Sequence, residues 1–192
     1  MLILALDTAT TTATAALVRD GEPLAEAAVP PREIYAAIDR LVDDPAALEA
    51  IVVGIGPGSF TGIRLGIAAA RAMALALGLP VAGVSTLDAL AAGAPGAIPV
   101  VDARRREVFA IVDGEPRCLA PAELPTGLLV GDGARRYRAQ LEAAGAEIPA
   151  DDDERHLPRA RFHAQLADRF GAPDAVEPVY VRLPDAEKAI AK

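Results

Sequence analysis

Two stretches of the chain open in the same way. Residues 2–7, LILALD, run apolar into a carboxylate, and a threonine-rich segment follows as far as Asp20-Gly21. Residues 99–102, PVVD, also end on a carboxylate, and a second apolar run then reaches Asp113-Gly114. Asp-Gly at the end of a β-type run marks a tight hairpin, because the turn needs positive φ, which glycine adopts without steric cost. Each half therefore predicts a strand ending on aspartate and an antiparallel return. That parallel predicts two lobes of like build, 1–98 and 99–192, meeting at the Pro/Gly-rich seam APGAIP at 94–99.

Within the first lobe the pattern reads β-β-β-α-β-α-β. EPLAEAAV pairs back as a third strand, which leaves the first strand central. In PPREIYAAIDRLVDD, Ile34, Ile38 and Leu41 recur at helical spacing, and AIVVGIG and PVAGVS are further buried strands. This order predicts an α/β class, a mixed sheet with helices on its faces. In the second lobe GLLVGDGARRYRAQLEAAG reads as strand, glycine turn and helix. ADDDERHLP follows as a polar loop, RARFHAQLADRFG as a short amphipathic helix and VEPVYVR as an extended segment.

The composition removes several function classes. The net charge is -8, and a protein that grips nucleic acid alone needs a positive footprint to displace counterions. A single cysteine, Cys118, supports neither a disulfide framework nor a zinc site built on paired cysteines. Met1 leads directly into a buried strand without a basic leader, and no apolar run reads as membrane length, so a cytoplasmic protein is expected. His156 and His163 read as loop or surface residues, and the acidic run at 151–154 as a solvated loop with no metal.

The segment IVVGIGPGSFTGIRLGIAAARAMALALG, 51–78, holds the densest glycine pattern. It lacks the lysine of a phosphate-binding P-loop and the third glycine and acidic partner of a dinucleotide fingerprint. Ser59 is placed to cap the helix that follows. The free amides there could attract an anion, or the glycines could simply make a tight turn. Gly62, Gly66, Ala69, Ala70 and Met73 give the helix a small-residue stripe that fits either burial under its own sheet or a docking face.

Asp7-Thr8-Ala9-Thr10 is similar to the phosphate hairpin of the actin, hexokinase and Hsp70 ATPase superfamily. Ala9 stands where that hairpin has glycine, and Asp102-Ala103-Arg104-Arg105-Arg106 is bulky and basic where the second hairpin has small residues. A phosphotransferase or ATP-sensing protein of that superfamily is the alternative reading; a metalloprotease would need clustered histidines.

Three segments, ILALDTAT at 3–10, GIGPGSFTGIRLGIAAARAMALALGLPVAGVSTLDALA at 54–91 and DARRREVFA at 102–110, resemble the bacterial tRNA threonylcarbamoyladenosine biosynthesis family TsaB, of YeaZ type. LVGDGA and PVYVR fit its second lobe more loosely. The resemblance implies a two-lobed actin-like or Hsp70-like (ribonuclease H-like) fold, with a reduced second lobe. It implies a non-catalytic scaffold that binds the catalytic subunit TsaD, which adds threonylcarbamoyl to N6 of adenosine 37 in ANN-decoding tRNAs. The small ATPase TsaE would dock on the pair, tRNA would be met only indirectly, and the same helices would support a homodimer. Carried onto this chain, the partner face would be Ile34, Ile38, Leu41, Gly62, Ile63, Gly66, Ile67, Ala70 and Met73. Asp7, Thr8 and Thr10 would be a vestigial phosphate loop with at most weak ATP binding. The family's His-Ser pair at the start of the first helix is absent, where the chain reads PPREIYAAI.

Overall fold

The structure is a computed structural model that describes residues 1–181; residues 182–192, with Arg182 of PVYVR and the end of the predicted second lobe, lie outside the described residues. Strands β1 (Leu2–Asp7), β2 (Ala13–Arg19), β3 (Glu22–Val29), β4 (Ala50–Gly54) and β5 (Val81–Val84) form one sheet in the order β3-β2-β1-β4-β5. The first three make the expected meander, and β4 and β5 join parallel, with β1 at the centre. Strands β6 (Ile98–Arg104), β7 (Glu107–Val112), β8 (Glu115–Leu119) and β9 (Leu129–Val130) form a second sheet in the order β8-β7-β6-β9. It repeats the first sheet's connectivity, antiparallel on one side of the leading strand and parallel on the other, with one strand fewer. The expected two-lobed mixed α/β architecture with a reduced second lobe is present.

Local chemistry sets the turns. Asp20 and Gly21 take φ of 53° and 88°, and Asp113 and Gly114 take 54° and 80°, the left-handed geometry that a two-residue hairpin needs. Between β6 and β7 no glycine is available, and Arg104, Arg105 and Arg106 all adopt positive φ at the hairpin tip.

Alternation along β1 sends Leu2, Leu4 and Leu6 to one face and Ile3 and Ala5 to the other. Helices α1 (Ile34–Leu41) and α2 (Phe60–Leu77) cover the first face. The second face is covered from far along the chain, by α6 (Ala160–Leu166), whose Ala160 and Ala164 pack on β1, β2 and β4. Around the second sheet, α4 (Asp132–Arg136) and α5 (Arg138–Ala143) close one side, and α3 (Thr86–Gly93) closes the other through Leu87 and Leu90. Helix α3 was not anticipated, because STLDALAA is too short and too uniformly apolar to show a period.

Helix α2 corrects one expectation. By length and composition it is apolar enough to cross a membrane. Here one stripe of it, Ile63, Gly66, Ile67, Ala70 and Ala74, is buried against the sheet, as in the core helix of a globular lobe.

Candidate functional site: two aspartates at the lobe seam

β1 ends on Asp7 and β6 carries Asp102 two residues before its end, and each carboxylate accepts the amide two residues on. Ala9 N donates to Asp7 Oδ1 at 2.6 Å, and Arg104 N donates to Asp102 Oδ1 at 3.0 Å. The two sites then diverge.

Asp7 is sealed. Its Oδ2 accepts the Thr86 hydroxyl at 2.7 Å and lies 2.8 Å from His163 Nε2, all three side chains being fully buried. The imidazole Nε2 faces the carboxylate off the hydrogen-bond direction, so the contact is one of close packing without a hydrogen bond. A Cβ on Gly54 would sit 2.1 Å from Asp7 Oδ2, so the strand backbone closes the remaining side. Thr8 and Thr10 are buried as well. The expected phosphate-loop residues are therefore occupied by the protein's own groups.

The glycine loop completes the seal. Ser59 caps α2 by accepting Gly62 N at 3.2 Å, as its position predicts, while Ser59 N donates to Ala9 O at 2.7 Å. Thr8 Oγ1 donates to Gly62 O at 2.7 Å. A Cβ at Gly58 would lie 2.3 Å from Ala9 O, and one at Gly62 would lie 2.1 Å from Thr8 O. The glycines exist so that the start of α2 can lie directly on the 8–10 loop, where an anion would otherwise sit.

This corrects the residues expected at a partner face. Ile34, Ile38, Ile63, Gly66, Ile67 and Ala70 are buried in the first lobe's own core, and Leu41, Gly62 and Met73 are partly buried. The small stripe serves the sheet because glycine is what permits close backbone approach there. The outward face of the same helices carries Tyr35, Phe60, Leu65, Leu75 and Leu77, all exposed, with Leu75 at 73%. A groove of about 340 Å³ runs between α1 and α2, lined by Tyr35, Ile38, Val42, Met73 and Leu77 among others. At the start of α2 the Arg64 guanidinium lies 3.8 Å above the Phe60 ring and donates to Tyr180 Oη at 3.1 Å, so the late chain is strapped to this helix.

The histidines also differ from expectation: both are buried, and they serve separate places. His156 Nδ1 accepts Gly131 N at 3.0 Å and its Nε2 faces Pro149 O at 3.1 Å, which fixes the loop before α4. His163 belongs to Asp7.

Asp102 opens toward a cavity of about 300 Å³ between the lobes, lined by Thr11, Asp102, Asp132, Arg135, Arg136 and Asp151. Asp132, which sequence reasoning missed, is held between Gly131 and Gly133. A Cβ at Gly131 would meet Val100 O at 2.1 Å, so the loop lies directly on β6. Asp132 Oδ1 accepts Asp102 N at 3.0 Å and its Oδ2 accepts Thr11 N at 3.1 Å. One carboxylate thus joins the leading hairpins of both lobes. An aspartate between glycines directly after a strand was the available signal.

Asp132 keeps some surface toward the cavity, yet burial pushes its carboxyl above the ordinary range against the opposing pull of the two amides. A carboxyl with a higher folded than unfolded pKa binds more protons when folded. Its contribution therefore favours folding at low pH and is lost as pH rises through the folded value. Relative to an Asp132→Asn variant, the native chain is expected to lose stability as pH rises from 3.8 and to level off above the raised value. Urea melts across that range measure this; a pH-independent difference would contradict it.

Against known proteins, the family model described as TsaD, tRNA N6-adenosine threonylcarbamoyltransferase, matches residues 31–120. An uncharacterized protein of Mycobacterium tuberculosis is 36% identical over 206 aligned positions, covering 96% of this chain and 93% of that protein. The tRNA threonylcarbamoyladenosine biosynthesis protein TsaB of Escherichia coli is 42% identical over 123 residues. A solved Pseudomonas aeruginosa structure, described as similar to the peptidase YeaZ, superposes with a TM-score of 0.71 at 26% identity, over 94% of this chain and 99% of that one. The chain belongs to the TsaB family, of YeaZ type. The Escherichia coli match covers 57% of this chain and 53% of that TsaB, and so leaves almost half of each outside it. The TsaB-type fold accounts for the paired lobes.

Proposed function

We propose that this chain acts in tRNA threonylcarbamoyladenosine biosynthesis as a non-catalytic cytoplasmic subunit that binds and activates a TsaD-type catalytic subunit. In the complex that partner transfers threonylcarbamoyl to N6 of adenosine 37, a TsaE-type ATPase docks on the pair, and tRNA is met through the assembly. The observation that carries the reading is the outward face of α1 and α2. Tyr35, Leu65, Leu75 and Leu77 stand exposed around an apolar groove in a chain otherwise rich in surface charge. Patches of this kind mark interaction sites. Residues 31–120, which carry both helices, match the partner's own family model. The two subunits are therefore related, and a pseudo-symmetric pairing of like faces follows, with a homodimer through that face when the chain is alone. The sealed Asp7 supports an accessory role over a phosphotransferase, since both its oxygens are engaged by protein groups.

Light scattering on size-exclusion eluates tests this, with the chain alone and mixed with the TsaD-type subunit of the same organism. Leu75→Arg is expected to weaken the complex at least tenfold without changing the melting temperature. Leu166→Arg, exposed on α6 across the sheet, is expected to leave it intact. If the native chain forms no complex, with or without ATP, the reading fails.

A further inference from the structure

Among the described residues, three hairpins turn on two residues at positive φ, and one of them is built unlike the others. Arg19 pairs with Glu22 across Asp20-Gly21, and Val112 pairs with Glu115 across Asp113-Gly114. Between β6 and β7 Arg104 pairs with Glu107, and the turn falls on Arg105 and Arg106, at φ of 54° and 62°. Arg104, at the register shift just before, takes 62° as well. A side chain in the left-handed region crowds its Cβ against the following carbonyl, so glycine or asparagine usually stands there. The chain uses glycine at its other two turns and three arginines here. Backbone held in such a region gathers where the side chains have a task.

The arginines are also gathered from below. Asp102 Oδ2 lies 3.4 Å from Arg104 Nη1 and 3.6 Å from Arg136 Nε, on a side chain only 3% exposed. Arg104 and Arg136 are themselves 61% and 54% exposed. A carboxylate sealed from solvent thus holds two guanidinium groups, from β6 and α4, beside each other while their outer sides stay in water. It offsets part of their charge, and Arg105 and Arg106, both exposed, add to it. The neighbouring carboxylates are engaged: Asp132 holds two backbone amides, and Arg138 holds Asp151 at 2.6 Å. Arg104, Arg105 and Arg106 lie outside the lining of the seam cavity. Their surface is open, and it fits an extended polyanion better than a small enclosed ligand.

We propose that the β6–β7 tip, with Arg136 beside it, contacts the phosphate backbone of tRNA within the assembly, an inference that rests on the pathway reading. Guanidinium groups match phosphate oxygens with paired, charge-assisted hydrogen bonds. The tip falls within residues 31–120, the region matched by the family model of a tRNA-modifying enzyme. The net charge of -8 keeps the chain from holding RNA alone, so the tip adds to an affinity that the catalytic subunit supplies. Phosphate contacts position a nucleic acid without reading its sequence. The tip therefore orients tRNA on the complex irrespective of the bases it carries there.

The test replaces the turn by its usual sequence, Arg105→Asn with Arg106→Gly, in the complex with the TsaD-type subunit of the same organism. Light scattering checks the complex, and the anisotropy of a labelled, unmodified tRNA across a salt series then reads affinity. The variant is expected to form the complex and to melt at a higher temperature than the native chain, because the strained turn is relieved. Its affinity for tRNA is expected to fall roughly fivefold to tenfold, and the slope of log affinity against log salt to drop by about 1 to 2. Arg136→Ala, which leaves the turn alone, is expected to lower the slope by about 1. Arg169→Ala, at a side chain 93% exposed just beyond α6, is expected to leave affinity and slope unchanged. Unchanged affinity and slope in the turn variant would overturn the proposal. Loss of the complex would make the tip a protein contact, and a lower melting temperature would give the arginines to the fold; either overturns it. If the native chain forms no complex at all, the pathway reading fails and this proposal with it.

Discussion

Replacing His163 by alanine is expected to destabilise the protein by about 3–5 kcal/mol, the cost of emptying the place of a large, fully buried ring beside Asp7. The substitution leaves Asp7 Oδ2 with only the Thr86 hydroxyl, in a place with no solvent access. For a chain of this length that corresponds to a fall of roughly 6–20 °C in melting temperature. Asp7→Asn in the His163→Ala background is expected to recover part of the loss, because the buried acid that faced the ring is gone. The double-mutant cycle read by urea denaturation measures the coupling. Additive losses would mean that the imidazole only fills space.

Gly62→Ala carries the second large effect. The added Cβ would stand 2.1 Å from the backbone oxygen of Thr8, and neither side of that contact is a flexible side-chain end. The helix must lift off the 8–10 loop or the loop must shift, breaking the Thr8 Oγ1 bond to Gly62 O. A loss of about 3 kcal/mol is expected, the upper part of the range for overpacking. Gly171→Ala is the control: nothing lies within 4 Å of its Cβ position and its φ is not positive, so a change within about 0.5 kcal/mol is expected. The same reasoning disqualifies Gly66→Arg as a probe of docking, since its Cβ would lie 2.5 Å from Thr8 Oγ1 and the variant would report on folding.

What the sequence disclosed was what local chemistry decides. The Asp20-Gly21 and Asp113-Gly114 turns, the Ser59 cap and the repeated strand-to-aspartate pattern each depend on a few adjacent residues, and all are present. What it withheld depended on distant pairs. Asp7 and Thr86 are 79 residues apart, and Thr11 and Asp132 are 121 apart. No periodicity within a helix reveals that a histidine on α6 faces the end of β1. The orientation of α2 was ambiguous for a different reason. It is apolar nearly all round, so small residues at helical spacing fit a sheet-facing stripe as well as an outward one. Close contact of Gly58, Gly62 and Gly66 with the 8–10 loop decided between them.

The late return of α6 has a consequence for how the chain is made. When a ribosome has released the five strands of the first sheet, one face of that sheet, with Ile3, Ala5, Val18, Val52 and Val84, has nothing to cover it. Its cover, Ala160 and Ala164, is synthesised some 75 residues later, roughly 4–15 s at ordinary elongation rates. Asp7 waits through the same interval for His163. The first half of the chain is thus not an independent folding unit on the nascent polypeptide. Its completion is timed by translation of the second half, and a holdase chaperone that shields a bare apolar sheet would act during that window.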